Sequence, residues 1–150
     1  MHFEKRAVLT EKILSVKISK NIQWETLAKE LQVPPLWLVS ALLGEHSIPR
    51  STAEQIGAKF GLSDDEIKLL QQVPYRGNMQ MPPSDPTIYR FFEAISVYGG
   101  AIKEMIHEMF GDGIMSAINF SMDIAKKEHP EGSRVVVTMS GKFLPYEWKN

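Results

Sequence analysis

The 150-residue chain contains no cysteine, and that one absence excludes disulfides, thiolate metal sites and cysteine nucleophiles together. It also lacks an excess of charge. Its 17 Lys and Arg stand against 18 Asp and Glu, a net charge of −1 with neutral histidines, so no global field draws it to nucleic acid or to acidic membranes. No apolar run approaches the roughly eighteen residues that a membrane span needs. The start, "MHFEKRAVLTEK", is charged from residue 4 and has no apolar leader stretch, which predicts a cytoplasmic protein without membrane contact. Walker loops, serine elbows and dinucleotide fingerprints are missing, and "GDG" at 111–113 is too short to count as a phosphate loop. The four histidines are scattered, and "HEMFG" places Gly111 where a zincin helix needs its second histidine. Neither a metal nor a cofactor is expected.

What is present reads as an ordinary globular chain. Hydrophobic residues make up 43% and charged residues 23%, near average usage, and a chain of this length buries roughly two thirds of its unfolded surface. Residues 3–72 carry helical periodicity cut by breakers at "SKN" (19–21), "VPP" (33–35), "HSIP" (46–49) and "GLSDD" (61–65). That pattern predicts five helices. Asn21 is placed to cap the second, Pro35 suits the first turn of the third, and Ser63 followed by Glu66 caps the fifth. "VPYRGNMQMPPSDP", with four prolines, predicts a linker over 73–85 between a helical domain, 1–75, and a second domain, 86–150.

The second domain opens with Asp85 placed to cap a helix that begins at Pro86 and stops at Gly111. Gly99 and Gly100 lie inside it; together they cost about 2 kcal/mol against alanine, which predicts a kink or a break. Beyond "GDG" the period falls to two. Ile118, Phe120, Met122 and Ile124 alternate with Asn119, Ser121, Asp123 and Ala125, as on a strand. "RVVVTM", 134–139, reads as a second strand and "SGKFLPYEWKN" as a tail. Two strands alone are marginal in water, so the hairpin is expected to pair with something outside the chain, most simply another copy.

Two sites of chemistry suggest themselves. "IQWETLAKELQVPPLWLVSALLGEHSIP" resembles a lambda-repressor-like helix-turn-helix, with Ala28 at the crossing, and so raises the alternative of a DNA-binding regulator. Its would-be recognition helix, however, offers Leu, Trp, Val and Ala where Arg, Lys, Asn or Gln should meet base edges. Residues 1–75 balance nine Lys or Arg with nine Asp or Glu, so the phosphate-binding charge is missing as well. No nucleic-acid partner is expected. The other site is "DPTIYRFFEAISVYGG", which sets Arg90 and Glu93 three residues apart on the helix face of Val97, opposite Ile88, Phe91, Phe92 and Ile95. Taken by itself, such spacing describes a solvated ion pair pointing away from the domain's own core. Covered by another subunit, the same pair becomes a desolvated anion receptor with a carboxylate to orient it.

The stretch "DPTIYRFFEAISVYGGAIKEMIHEMFGDGIMSAINFSMDI" strongly resembles the cyanase family (cyanate hydratases, or cyanate lyases), as do "SALLGEHSIPRSTAEQIGAKFGL", "LLQQVPYRGNM" and "GKFLPY". The resemblance runs over nearly the whole chain. It implies a mainly α (α+β) fold: a five-helix lambda-repressor-like bundle, then a helix and β-hairpin dimerisation domain with exchanged strands. It implies a homodecamer built from dimers, five of them in a ring, with active sites at subunit interfaces. The family's catalytic Arg, Glu and Ser fall on Arg90, Glu93 and Ser116. The implied reaction is bicarbonate-dependent decomposition of cyanate to carbamate and carbon dioxide, without a cofactor, bicarbonate being a co-substrate. On that expectation Arg90 binds anion, Glu93 holds Arg90 and relays a proton, and Ser116 donates its hydroxyl, with neighbouring backbone amides adding donors.

Overall fold

The computed structural model describes residues 2–75, 77 and 81–147. It divides into two compact units, Met1–Asn78 and Met79–Asn150. The first unit consists of α1 (His2–Ser19), α2 (Trp24–Leu31), α3 (Pro35–Leu42), α4 (Arg50–Phe60) and α5 (Asp64–Gln71). The second consists of α6 (Pro86–Phe110), β1 (Gly113–Lys127) and β2 (Arg134–Pro145). The chain is thus mainly helical with a C-terminal hairpin, the class expected. Residues 76 and 78–80 of the proline-rich linker lie outside the described residues.

The first unit owes its fold to one apolar cluster. Ala53, Ile56 and Phe60 recur along α4 at helical spacing and are all buried, and Leu9 and Ile13 of α1, Leu27 and Ala28 of α2, Leu38, Ala41 and Leu42 of α3, Ile48 and Leu70 close around them. Each such Leu, Ile or Phe contributes about 1.5–3 kcal/mol of burial. Ile48 N–H donates to Leu70 O at 2.9 Å, which ties the loop after α3 to the end of α5. Buried Arg6 crosses the same region: its Nη1 donates to Leu69 O at 2.9 Å and its Nη2 to Ala41 O at 2.7 Å and His46 O at 3.3 Å. The guanidinium thereby satisfies carbonyls at the ends of two helices, and burial pulls its pKa below the ordinary value.

The caps divide into expected and unexpected. Ser63 Oγ accepts from Glu66 N–H while the Glu66 carboxylate accepts from Ser63 N–H, a complete capping box on α5, and Pro35 occupies the first turn of α3. Asn21, expected to cap α2, does not. It sits at φ 50° just past the end of α1, and the N-cap of α2 is Gln23, which makes no side-chain cap bond. Asparagine tolerates the left-handed region better than most residues, and here that tolerance ends one helix rather than starting the next.

The second unit is built differently. Asp85 Oδ1 accepts from Thr87 N–H at 2.8 Å and Ile88 N–H at 3.1 Å, fixing the start of α6; Gly111, at φ 90°, ends it. Of the kink or break expected at Gly99 and Gly100, the break does not occur: the helix is continuous from Pro86 to Phe110. Twenty-five residues of propagating hydrogen bonds, capped at the start, outweigh the glycine cost. A second expectation also fails: in its own unit α6 has no core to point away from, because none of its residues is buried. Ile88, Phe91, Phe92 and Ile95 are themselves exposed, between 36% and 57%, though less than Val97 at 71%.

Both strands exceed the expected lengths. β1 begins five residues before Ile118, and β2 takes in "SGKFLP", read in the sequence as tail, because Gly113 pairs with Pro145 and Ile114 with Leu144 at the open end of the hairpin. Cross-strand pairing overrides a local glycine-rich signal there. Ile118 does not share the alternation of Phe120, Met122 and Ile124; it lies in an irregularity between Met115 and Phe120. Phe110, at the end of α6, stacks on Phe143 of β2 with centroids 4.9 Å apart.

Candidate functional site

Arg90 lies in the second turn of α6 and Glu93 one turn beyond. Arg90 Nη1 donates to Glu93 Oε1 at 3.1 Å. Within the single chain this pair is wet, the two side chains being 72% and 46% exposed. Its surroundings are nevertheless apolar. Ile88, Tyr89, Phe91 and Phe92 are all exposed beside it, Tyr89 and Phe92 with ring centroids 5.8 Å apart. A guanidinium held by a carboxylate within a large uncovered apolar surface is a charge placed where a covering partner would dry it.

Ser116 stands on the hairpin, in the irregular part of β1, and is only 6% exposed. Its Oγ accepts from Ile118 N–H at 3.1 Å and Asn119 N–H at 2.9 Å. The backbone amides expected to add donors beside Ser116 are therefore engaged by Ser116 itself, in the side-chain-to-backbone turn that serine favours. Among the described residues the hydroxyl proton has no acceptor, and no hydrogen bond joins Ser116 to Arg90 or Glu93. The chain thus brings two of the three candidate residues together and leaves the third on a separate element.

Among the described residues no three metal-ligating side chains gather. His107, in the last turn of α6, is half-buried and accepts Gly111 N–H at its carbonyl at 2.9 Å, as a helix end does. On the first unit, α3 carries no Lys or Arg, and its Leu36, Trp37 and Val39 are half-buried, so its surface is apolar where a groove-reading helix is cationic.

Sequence reasoning did not find Gly141, which lies against the main chain of Ser116. The signal was in "SGK", a glycine within a segment that pairs as strand.

A helical domain followed by a long helix and a hairpin, with apolar side chains and a guanidinium exposed together on that helix, defines a mainly helical α+β protein. Two family models cover nearly all of it: "Cyanate hydratase, N-terminal" matches residues 6–74 and "Cyanate lyase C-terminal domain" residues 80–148. Similar proteins include a cyanate hydratase of Variovorax paradoxus, 54% identical over 140 residues that span 93% of this chain and 95% of that protein. One from Mycobacterium avium is 53% identical over 144 residues, 95% of this chain and 93% of that one. The crystal structure of cyanase from T. urticae superposes with a TM-score of 0.82 at 38% identity, covering 92% of this chain and 97% of that one. The chain belongs to the cyanate hydratase (cyanate lyase) family.

Proposed function

We propose that this protein is a cyanate hydratase that converts cyanate and bicarbonate to carbamate and carbon dioxide, carbamate then decomposing to ammonia and a second carbon dioxide. The observation that carries the reading is the Arg90–Glu93 pair, set within exposed apolar surface on α6 of a chain about half identical to cyanate hydratases over nearly its full length.

The chemistry asks for little except electrostatics and alignment. Cyanate and bicarbonate are both anions, and an oxygen of bicarbonate must reach the cyanate carbon. A C–O bond forms there and the nitrogen takes up protons, one from bicarbonate and one from solvent or a side chain. The bond between the bicarbonate carbon and the bridging oxygen then breaks, releasing carbon dioxide and leaving carbamate. No atom changes oxidation state, so no electron carrier is required. The obstacle is the repulsion between like charges. A guanidinium suits the task because it stays charged when desolvated and presents a planar fork to carboxylate-like oxygens. Arg90 is assigned that role. Glu93, bonded to it at 3.1 Å, orients the fork and relays a proton. Ser116 supplies a hydroxyl donor where negative charge develops.

In a single chain Arg90 is too wet for this role, so the proposal includes a partner copy. Exposed Ile95, Tyr98, Ile102, Met105 and Met109 on α6 are apolar surface of the kind that subunit interfaces bury. We take the active form to be a homodecamer built from dimers with exchanged strands, active in the cytoplasm, with sites closed by neighbouring chains. The purified protein should release ammonia from cyanate only when bicarbonate is supplied, and light scattering should give a particle many times the mass of one chain. Ammonia release equal with and without bicarbonate would remove the proposed co-substrate; none in either case would remove the activity.

A further inference from the structure

The ladder between β1 and β2 breaks at one place. Met115 pairs with Phe143 and Phe120 with Gly141, so residues 116–119 of β1 stand opposite Lys142 alone. The surplus chain bulges out of the ladder. Inside that bulge Ser116 is buried, whereas Ile118, two residues on, is 97% exposed. The bulge is internally bonded, because Ser116 Oγ accepts both Ile118 N–H and Asn119 N–H. A hydroxyl has two lone pairs and one proton; with both lone pairs spent on amides, Ser116 is left as a donor.

Gly141 is what lets the bulge lie so close to β2. A Cβ on that residue would stand 2.6 Å from Ser116 O and 2.4 Å from Met115 Cγ, where ordinary contact begins at 3.4 Å. The methionine side chain can rotate away. The carbonyl is backbone in the strand itself, so an alanine must shift it by about 0.8 Å, the difference between 3.4 and 2.6 Å.

We propose that the β1 bulge is the device that aims the Ser116 hydroxyl, with Gly141 as a positioning residue and the amides of Ile118 and Asn119 as its orienting groups. The inference rests on the assignment of Ser116 to the reaction site. A misplacement approaching 1 Å costs on the order of a hundredfold in rate, so Gly141→Ala should lower kcat by about that factor while the particle mass stays unchanged.

The test is a double-mutant cycle on the full-length assembled protein, with cyanate and bicarbonate as substrates and kcat and KM read separately. If Gly141 acts through the hydroxyl at 116, then Gly141→Ala lowers kcat in the wild-type background. It should then have no further effect on the Ser116→Ala background, an outcome that damage to the hairpin in general would not produce. Losses that multiply in the double variant overturn the inference, and so does an unaltered kcat in Gly141→Ala while Ser116→Ala is impaired. An unimpaired Ser116→Ala instead strikes the assignment of Ser116 itself, and the inference falls with it. Should Gly141→Ala fail to assemble, Ile118→Pro takes its place in the cycle: it deletes one amide bonded to Oγ without touching β2, and the same coupling or multiplication decides.

Discussion

Replacing Arg90 by leucine separates the two things an arginine on α6 can be. As a surface ion pair, with Nη1 and Oε1 3.1 Å apart and side chains 72% and 46% exposed, it is worth about 0.5 kcal/mol or less. That is roughly a twofold effect on any equilibrium. As the anion receptor of a closed site it is a preorganised donor facing developing charge, and removing such a donor costs on the order of 100- to 1000-fold in kcat. The two readings therefore differ by about two orders of magnitude, far beyond experimental error. Arg90→Leu should lower bicarbonate-dependent ammonia release at least a hundredfold while thermal midpoint and particle mass stay near the wild-type values. Arg90→Lys keeps the charge and loses the fork, so it should stay far below wild type too. A fully assembled Arg90→Leu protein turning over cyanate at the wild-type rate would refute the assignment and return the pair to the solvated surface.

Arg6→Met leaves the carbonyls of Ala41, His46 and Leu69 without their donor and should destabilise the protein by about 3 kcal/mol, read as a lowered denaturant midpoint; an unchanged midpoint would mean water replaces the guanidinium at no cost. The Glu66 carboxyl is held below its usual pKa, chiefly by Lys12 and then by Ser63 N–H. Its contribution is thus present above the ordinary glutamate range and disappears as pH falls through the depressed folded value. Glu66→Gln should be less stable than wild type at pH 7, by under about 1 kcal/mol because the pair is partly exposed, and the two unfolding curves should converge in acid; a difference that grows on acidification has the wrong sign. Ile95→Glu on the exposed face of α6 should reduce the particle mass in light scattering, and a particle of wild-type mass would show that this face is not covered. No retardation of duplex DNA is expected even at low salt, where phosphate contacts are strongest.

The legible parts of the fold were those set by neighbours in the chain. The capping box at Ser63 and Glu66, Pro35 in the first turn of α3 and Asp85 before Pro86 are short-range hydrogen bonding and fixed φ, which residue identity dictates wherever the segment is placed. The five helices of the first unit were readable because burial on one side repeats at 3.6 residues, as Ala53, Ile56 and Phe60 do. Asn21 misled because left-handed backbone serves the end of one helix as well as the start of another. The candidate residues Arg90, Glu93 and Ser116 were named from family motifs, not from periodicity, which by itself described an ion pair and a turn serine.

Residue types along the chain thus determined which segments coil, where they stop and which side chains can carry charge into an apolar setting. Tertiary structure alone decided three things. Arg6 is a buried clasp because carbonyls up to 63 residues away converge on it. The helix α6 has no buried residue in its own unit, because amphipathic spacing records which side chains are apolar and not what covers them. Ser116 and Gly141 meet across a bulge, because register is a relation between two strands and neither strand contains it.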